Sequence, residues 1–119
     1  GFKVNNYFER DHSRLIIWCG SLEKQKPIVV DTPTFSLDIL PTLSNLFGTE
    51  FDSGLFPGRD VFSDADALVF NANYDWKTEY GTYISSKGKF TQTDKSVKLP
   101  DNDGRVLFLQ ILRQNPLRR

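Results

Sequence analysis

The stretch "DILPTLSNLFG", residues 38–48, decides how the rest of the chain is read. Ser36 or Thr34 just ahead of it supplies a side-chain oxygen to cap a helix start. Asp38 falls in the first turn, where a negative charge suits the positive end of the helix dipole. Pro41 is tolerated near a helix start because the N–H it lacks would have no intrahelical partner there. Leu37, Leu40, Leu43 and Phe47, with Ile39 and Leu46, recur at helical spacing and predict a broad apolar face turned toward a core. Gly48 stands where a left-handed residue closes a helix.

Working outward, "RLIIWCG" (14–20) is a continuous apolar run ending in glycine, and it predicts a strand covered on both faces. "IVVD" (28–31) predicts a second short strand stopped by Pro33. Residues 1–13 form a lead-in, either a short helix or irregular. After the helix, residues 49–66 are a long loop with turn signals at Ser53-Gly54 and Pro57-Gly58. "ALVF" (67–70) predicts a strand, "NANYDW" a turn, and 78–86 with 87–93 an antiparallel hairpin turning near Lys87-Gly88. Residues 93–119 are a C-terminal extension in which "RVLFLQILRQN" (105–115) suits an amphipathic helix, a β start being the alternative. The order predicts an α/β fold of mixed α+β type, with a short mixed sheet, one central helix and a C-terminal helix. All 119 residues read as a single domain. A strand as apolar as "LIIW" needs cover on both faces, and two helices hardly provide it, so the sequence points to a missing partner.

Composition narrows the function classes. Apolar residues make up 39% of the chain and aromatics 13%, enough for a core. Fifteen basic residues balance fifteen acidic ones, so no net field draws the chain to nucleic acid or to an anionic membrane. The basic end "RQNPLRR" reads as a solvated tail. No apolar run approaches the roughly 20 residues of a membrane span. The single cysteine, Cys19, forms no internal disulfide and reads as a buried, inert thiol. The chain begins "GFKVNN" and has no methionine, which suggests an excised piece with Gly1 as a remnant of the excision.

Residues able to do chemistry are sparse. His12 in "ERDHSR" is the one histidine, and a zinc or general-base role needs partners that its surroundings lack. "DNDG" puts Asp101, Asp103 and Gly104 at the third, fifth and sixth positions of a calcium loop, but Leu99 and Gln110 then occupy positions that require carboxylates. Asp60, Asp64 and Asp66 read as loop-solvating residues. Tyr74, Trp76, Tyr80 and Tyr83 read as cross-strand pairs, with a glycan-stacking surface as the other possibility. There is no phosphate-binding glycine loop and no nucleophile elbow. No catalytic, cofactor-binding or metal-binding residue is assigned.

At "SLDILPTLSNLFGTEFDSGLFPGRDVFSD" (36–64) the chain resembles the C-terminal part of the sulfatase-like lipoteichoic acid synthase family, bacterial phosphoglycerol transferases of the alkaline phosphatase superfamily. The pattern is carried by Asp38, Pro41, Thr42, Leu43, Leu46, Gly48, Gly58 and Arg59, and the likeness extends over roughly residues 10 to 92. It implies the C-terminal portion of an alkaline phosphatase/sulfatase-like sandwich. It also implies a parent enzyme, anchored at the extracellular face of the bacterial membrane, that uses a divalent metal and a threonine or serine nucleophile, or a formylglycine in true sulfatases. In that family the metal ligands, including a Gly-Asp-His motif, lie upstream of the matched region. "RDHS" lacks the glycine, so no ligand role passes to Asp11 or His12. The implied partner is the upstream catalytic part of the same parent chain. No direct membrane contact and no nucleic acid are expected. The apolar run Leu15–Trp18, left open, would favour a homodimer of the fragment. The other reading is a free-standing extracellular binding module that uses the Tyr74–Tyr83 hairpin on a glycan or a protein.

Overall fold

A computed structural model describes residues 3, 4, 6–50, 52–100 and 104–114. The chain divides into two compact units, Gly1–Val30 and Asp31–Arg119.

In the first unit, α1 (Tyr7–Arg10) is a single turn capped by Asn6, whose Oδ1 accepts the Glu9 N–H at 3.1 Å. Arg10 lies over the Tyr7 ring and pairs with Asp11. Beyond it the expected strand at 14–20 does not form. Residues 12–19 take no regular secondary structure, and no backbone hydrogen bond joins 14–18 to another described residue. Gly20–Leu22 make a short 3₁₀ turn. The expected strand at 28–31 is likewise irregular and unpaired. The side chains that should have been covered are bare, with Ile16 84% and Trp18 73% exposed and Ile28 and Val29 similarly open. Their composition is β-forming, but a strand also needs a neighbour for its N–H and C=O groups, and the described residues supply none.

The second unit holds the sheet. β1 (Val69–Phe70), β2 (Trp76–Lys77), β3 (Gly81–Ile84) and β4 (Lys89–Gln92) form a four-stranded antiparallel meander in sequence order. The expected mixed sheet is therefore purely antiparallel, because the runs that would have paired in parallel stay single. The hairpin between β3 and β4 turns through Ser85–Lys87 and Gly88 at φ +56°, as the sequence indicates. Trp76, read as part of a turn, opens β2.

Register explains the core. Phe70 faces Trp76, Trp76 faces Tyr83, and Tyr83 faces Phe90, so one aromatic row crosses all four strands. The indole of Trp76 lies 5.4 Å from the Tyr83 ring, 5.2 Å from Phe90 and 5.2 Å from Phe108. Helix α3 (Arg105–Gln114) lays Leu107 and Ile111, one turn apart, against this row, with Phe108 beside them. The C-terminal helix is thus present where the apolar spacing placed it. Residues 115–119, most of the basic tail, lie outside the described residues, as do Asp101 and Asp103 of the acidic turn.

Helix α2 (Ile39–Leu46) follows a 3₁₀ turn at Ser36–Asp38. It ends as its sequence dictates. Gly48 adopts φ +63°, the Gly48 N–H bonds the Asn45 carbonyl at 3.1 Å, and the Thr49 N–H bonds the Ser44 carbonyl at 2.9 Å, the paired bonds of a Schellman cap. The burial is inverted from expectation. Asp38, Pro41 and Thr42 are buried, whereas Leu37, Ile39, Leu40, Leu46 and Phe47 are exposed, Phe47 by 68%. The apolar stripe exists, and most of it is exposed, with only Leu43 half-buried. In this chain Leu46→Ala is therefore expected to change stability by less than about 1 kcal/mol, as for a surface position, rather than the roughly 2–5 kcal/mol of a buried leucine. Urea melts of the two proteins check this.

Candidate functional site

Asp38, Thr42, Gly58 and Arg59 meet at one joint, built around the Asp38 carboxylate. Asp38 is 4% exposed. Its Oδ2 accepts the Phe35 N–H at 2.9 Å, closing the turn that leads into α2. Its Oδ1 accepts the Arg59 N–H at 2.9 Å, twenty-one residues away in the chain. The backbone carbonyl of Asp38 accepts the Thr42 hydroxyl at 2.6 Å, and Thr42 Oγ1 in turn accepts the Val61 N–H at 3.1 Å. Gly58 passes so close to Leu37 that a β-carbon there would lie 2.1 Å from the Leu37 carbonyl oxygen. Asp38, Thr42, Gly58 and Arg59 together lace the start of α2 to the loop at 58–61.

The joint extends to the side. Arg59 donates from Nη1 to the Ala65 carbonyl and from Nη2 to Thr32 Oγ1, both at 3.1 Å, while its Nε is buried with no hydrogen-bond partner among the described residues. Asn45 Nδ2 donates to Asp60 Oδ2 at 2.6 Å, and Asp60 Oδ1 accepts the Phe62 N–H at 3.0 Å. Neither Thr32 nor the Asn45–Asp60 contact was marked in the sequence, because a polar residue in a loop carries no local sign of a partner fifteen or more residues away.

At the centre of the joint the side-chain oxygens of Asp38 and Thr42 are all hydrogen-bonded. The Thr42 hydroxyl donates one bond and accepts another and has no base beside it, so it is not an activated nucleophile. Both Asp38 oxygens are committed to backbone N–H groups. Burial holds the Asp38 carboxyl above the usual aspartate range, opposed by its bonds from Phe35 and Arg59 and by the Arg59 charge. The sign of the linkage follows. A carboxyl whose folded pKa is raised contributes stability that is full below the unfolded pKa and is lost as pH rises through the folded value. The stability of the wild type relative to Asp38→Asn should therefore fall as pH increases from about 3 to about 7. Denaturant melts along that series test it. A difference that grows with pH would mean that the two N–H bonds outweigh burial.

The other marked residues are scattered. His12 is exposed, and neighbouring Asp11 is tied to Arg10 by two bonds of 2.7 and 2.8 Å, which hold its carboxyl below the usual range. Cys19, expected to be buried, is only partly so, and its Sγ lies 3.0 Å from Ser21 Oγ, a contact that lowers the thiol pKa. Asp64 is exposed and Asp66 half-buried. Among the described residues no three His, Cys, Asp or Glu side chains come together in a way that could hold a metal ion. Of the hairpin aromatics, Trp76 is buried and stacked on Tyr83, and Tyr80 is packed against the core. Only Tyr74, 81% exposed, faces solvent, so no aromatic platform for a glycan is assembled. Sequence reading also passed over Asp75, a buried carboxylate whose Oδ1 accepts the Ser85 N–H at 2.7 Å and so ties the start of β2 to the β3–β4 turn. Comparison with protein-family models, curated proteins and solved structures finds no match to this chain.

Proposed function

We propose that this chain is the C-terminal structural part of a bacterial sulfatase-like enzyme, of the phosphoglycerol transferase or lipoteichoic acid synthase type, and that it carries no catalytic group itself. The observation that supports this most is the joint at Asp38. The Asp-x-x-Pro-Thr segment and the Gly-Arg loop, which carry the resemblance across some twenty residues of sequence, meet through one oxygen of a buried carboxylate, Oδ1 of Asp38, whose other oxygen closes the turn at Phe35. The role of that joint is to present α2 as a rigid element whose apolar face awaits a partner.

Transfer of a phosphoryl or sulfuryl group needs a placed nucleophile and positive charge for the developing oxyanion. The residues described here do not fit a divalent metal. Asp11 is paired with Arg10, Asp38 is spent on backbone N–H groups, and Asp60 is bonded to Asn45 and its own loop. In this reading the metal and the nucleophile belong to the upstream part of the parent chain, at the outer face of the cell membrane. That upstream part is the partner for the bare run Leu15–Trp18 and for the apolar face of α2.

The reading frame that contains this chain tests the reading. It should encode an upstream Gly-Asp-His metal motif and membrane-spanning helices, and a frame without them overturns the proposal. Exposure provides a second check. Amides 14–18 and 28–31 should exchange freely in the 119-residue chain and be protected in the parent. Protection already present in the isolated chain, with sedimentation showing a dimer, would instead make a second copy the cover.

A further inference from the structure

The second unit carries a cleft that plays no part in the joint at Asp38. Tyr80, Asp66, the segment 97–100 and one side of α3 enclose about 550 Å³. That volume is in the range that holds a small organic ligand. The floor is apolar. Leu107 and Ile111 are buried, and Leu99 is half-buried against the same core. One wall is held in place before any ligand arrives. Gln92 Nε2 donates to the Asp94 carbonyl at 2.6 Å and to the Val97 carbonyl at 2.5 Å, fastening that loop to the end of β4. Tyr80 is fixed as well, its N–H bonded to Thr78 Oγ1 at 3.1 Å and its carbonyl accepting the Thr93 N–H at 2.9 Å.

The rim is charged, and unevenly so. Lys98 and Arg113 line the cleft, and neither makes an ion pair among the described residues. Among the described residues one carboxylate, Asp66, lines the cleft, and its charge acts on Tyr80. The Tyr80 phenol is held above its ordinary pKa by partial burial and by the charges of Asp66 and Glu79, so it stays a hydrogen-bond donor. Lys98 and Arg113, unpaired among the described residues, disfavour a cationic ligand, and Asp66 disfavours a second negative charge. Val97 and Leu99, which keep open apolar surface over the buried Leu107 and Ile111 of the lining, reward an apolar body.

We propose that this cleft binds a small amphipathic monoanion, a carboxylate or sulfonate head on an apolar body, with the head between Lys98 and Arg113 and the body on Val97 and Leu99, over Leu107 and Ile111. The site is independent of the family reading above.

Decanoate, below its micellar concentration, is the probe, titrated into the 119-residue chain and followed by amide chemical shifts. Shifts should appear at Tyr80, 97–99 and 107–113. Decyltrimethylammonium, with the same body and opposite charge, should bind at least about tenfold more weakly, and acetate should shift nothing at matched concentration. Lys98→Gln combined with Arg113→Gln, both at exposed positions, should weaken decanoate about tenfold, the equivalent of roughly 1.4 kcal/mol, with the circular dichroism spectrum unchanged. The proposal is overturned if the shifts fall at 14–18 or along α2 instead, if both decyl compounds bind equally, if acetate reproduces the shifts, or if the double variant binds decanoate as the wild type does.

Discussion

Replacing Trp76 by alanine is expected to cost about 3–5 kcal/mol, the usual loss when a large aromatic side chain is removed from a core. The residue is 6% exposed and sits at the centre of the row Phe70, Trp76, Tyr83 and Phe90. Its ring is shared by the sheet and by α3 through Phe108. The approach of α3 is fitted to it. Gly104, at φ +74°, precedes the helix so closely that a β-carbon there would lie 2.7 Å from the edge of the indole and 2.8 Å from the Phe90 ring. Removing the indole takes away the seat of α3 as well as the stack within the sheet. With a urea m-value of about 1–3 kcal/mol/M for a small protein, the midpoint followed by far-UV circular dichroism should fall by at least about 1 M. Trp18, 73% exposed, remains as a fluorophore that reports solvent rather than the core. A midpoint that does not move would show that the aromatic row is not what holds the second unit together. Gly104→Ala tests the same contact from the other side, at about 1–3 kcal/mol for overpacking.

How far the sequence could be read depended on whether the relevant partner was local. The Schellman close at Gly48, the left-handed turn at Gly88 and the helix at 105–114 each rest on contacts within a few residues, and each forms where the residue pattern places it. "RLIIW" and "IVV" have the composition of buried strands, but composition does not name a neighbour, and without one they are unpaired and bare. The stripe of leucines on α2 is visible by spacing. Which side of the helix its own unit occupies is decided by polar groups. Asp38 and Thr42 bond backbone atoms of residues 59 and 61, and a backbone N–H looks the same at every residue. For the candidate site, no site residue was assigned from the sequence, and the bracing role of Asp38 and Thr42 became visible only from the hydrogen bonds they make.

Removing the Asp38 carboxylate should be the other large loss, about 2–5 kcal/mol for Asp38→Ala, the scale of leaving two part-buried N–H donors without their acceptor. Two backbone donors, Phe35 N–H at 2.9 Å and Arg59 N–H at 2.9 Å, would lose their acceptor together. A buried donor left without an acceptor costs about 1–3 kcal/mol. Alanine cannot replace either bond, and a water filling the gap would still leave the loop at 58–61 without its anchor on α2. Asp38→Asn should lie between wild type and alanine, because the amide keeps one acceptor oxygen and turns an N–H₂ toward the other donor. Gly58→Ala strikes the same joint without touching the carboxylate. Its β-carbon would meet backbone atoms, the Leu37 oxygen at 2.1 Å and the Asp38 nitrogen at 2.7 Å, and backbone cannot swing aside as a side chain can. The two lesions act on one contact, so the double variant Asp38→Ala with Gly58→Ala should cost clearly less than the sum of the singles. Simple additivity in urea melts would mean that the Gly58 approach and the Asp38 bonds are independent, and that α2 is held in place by something other than this joint.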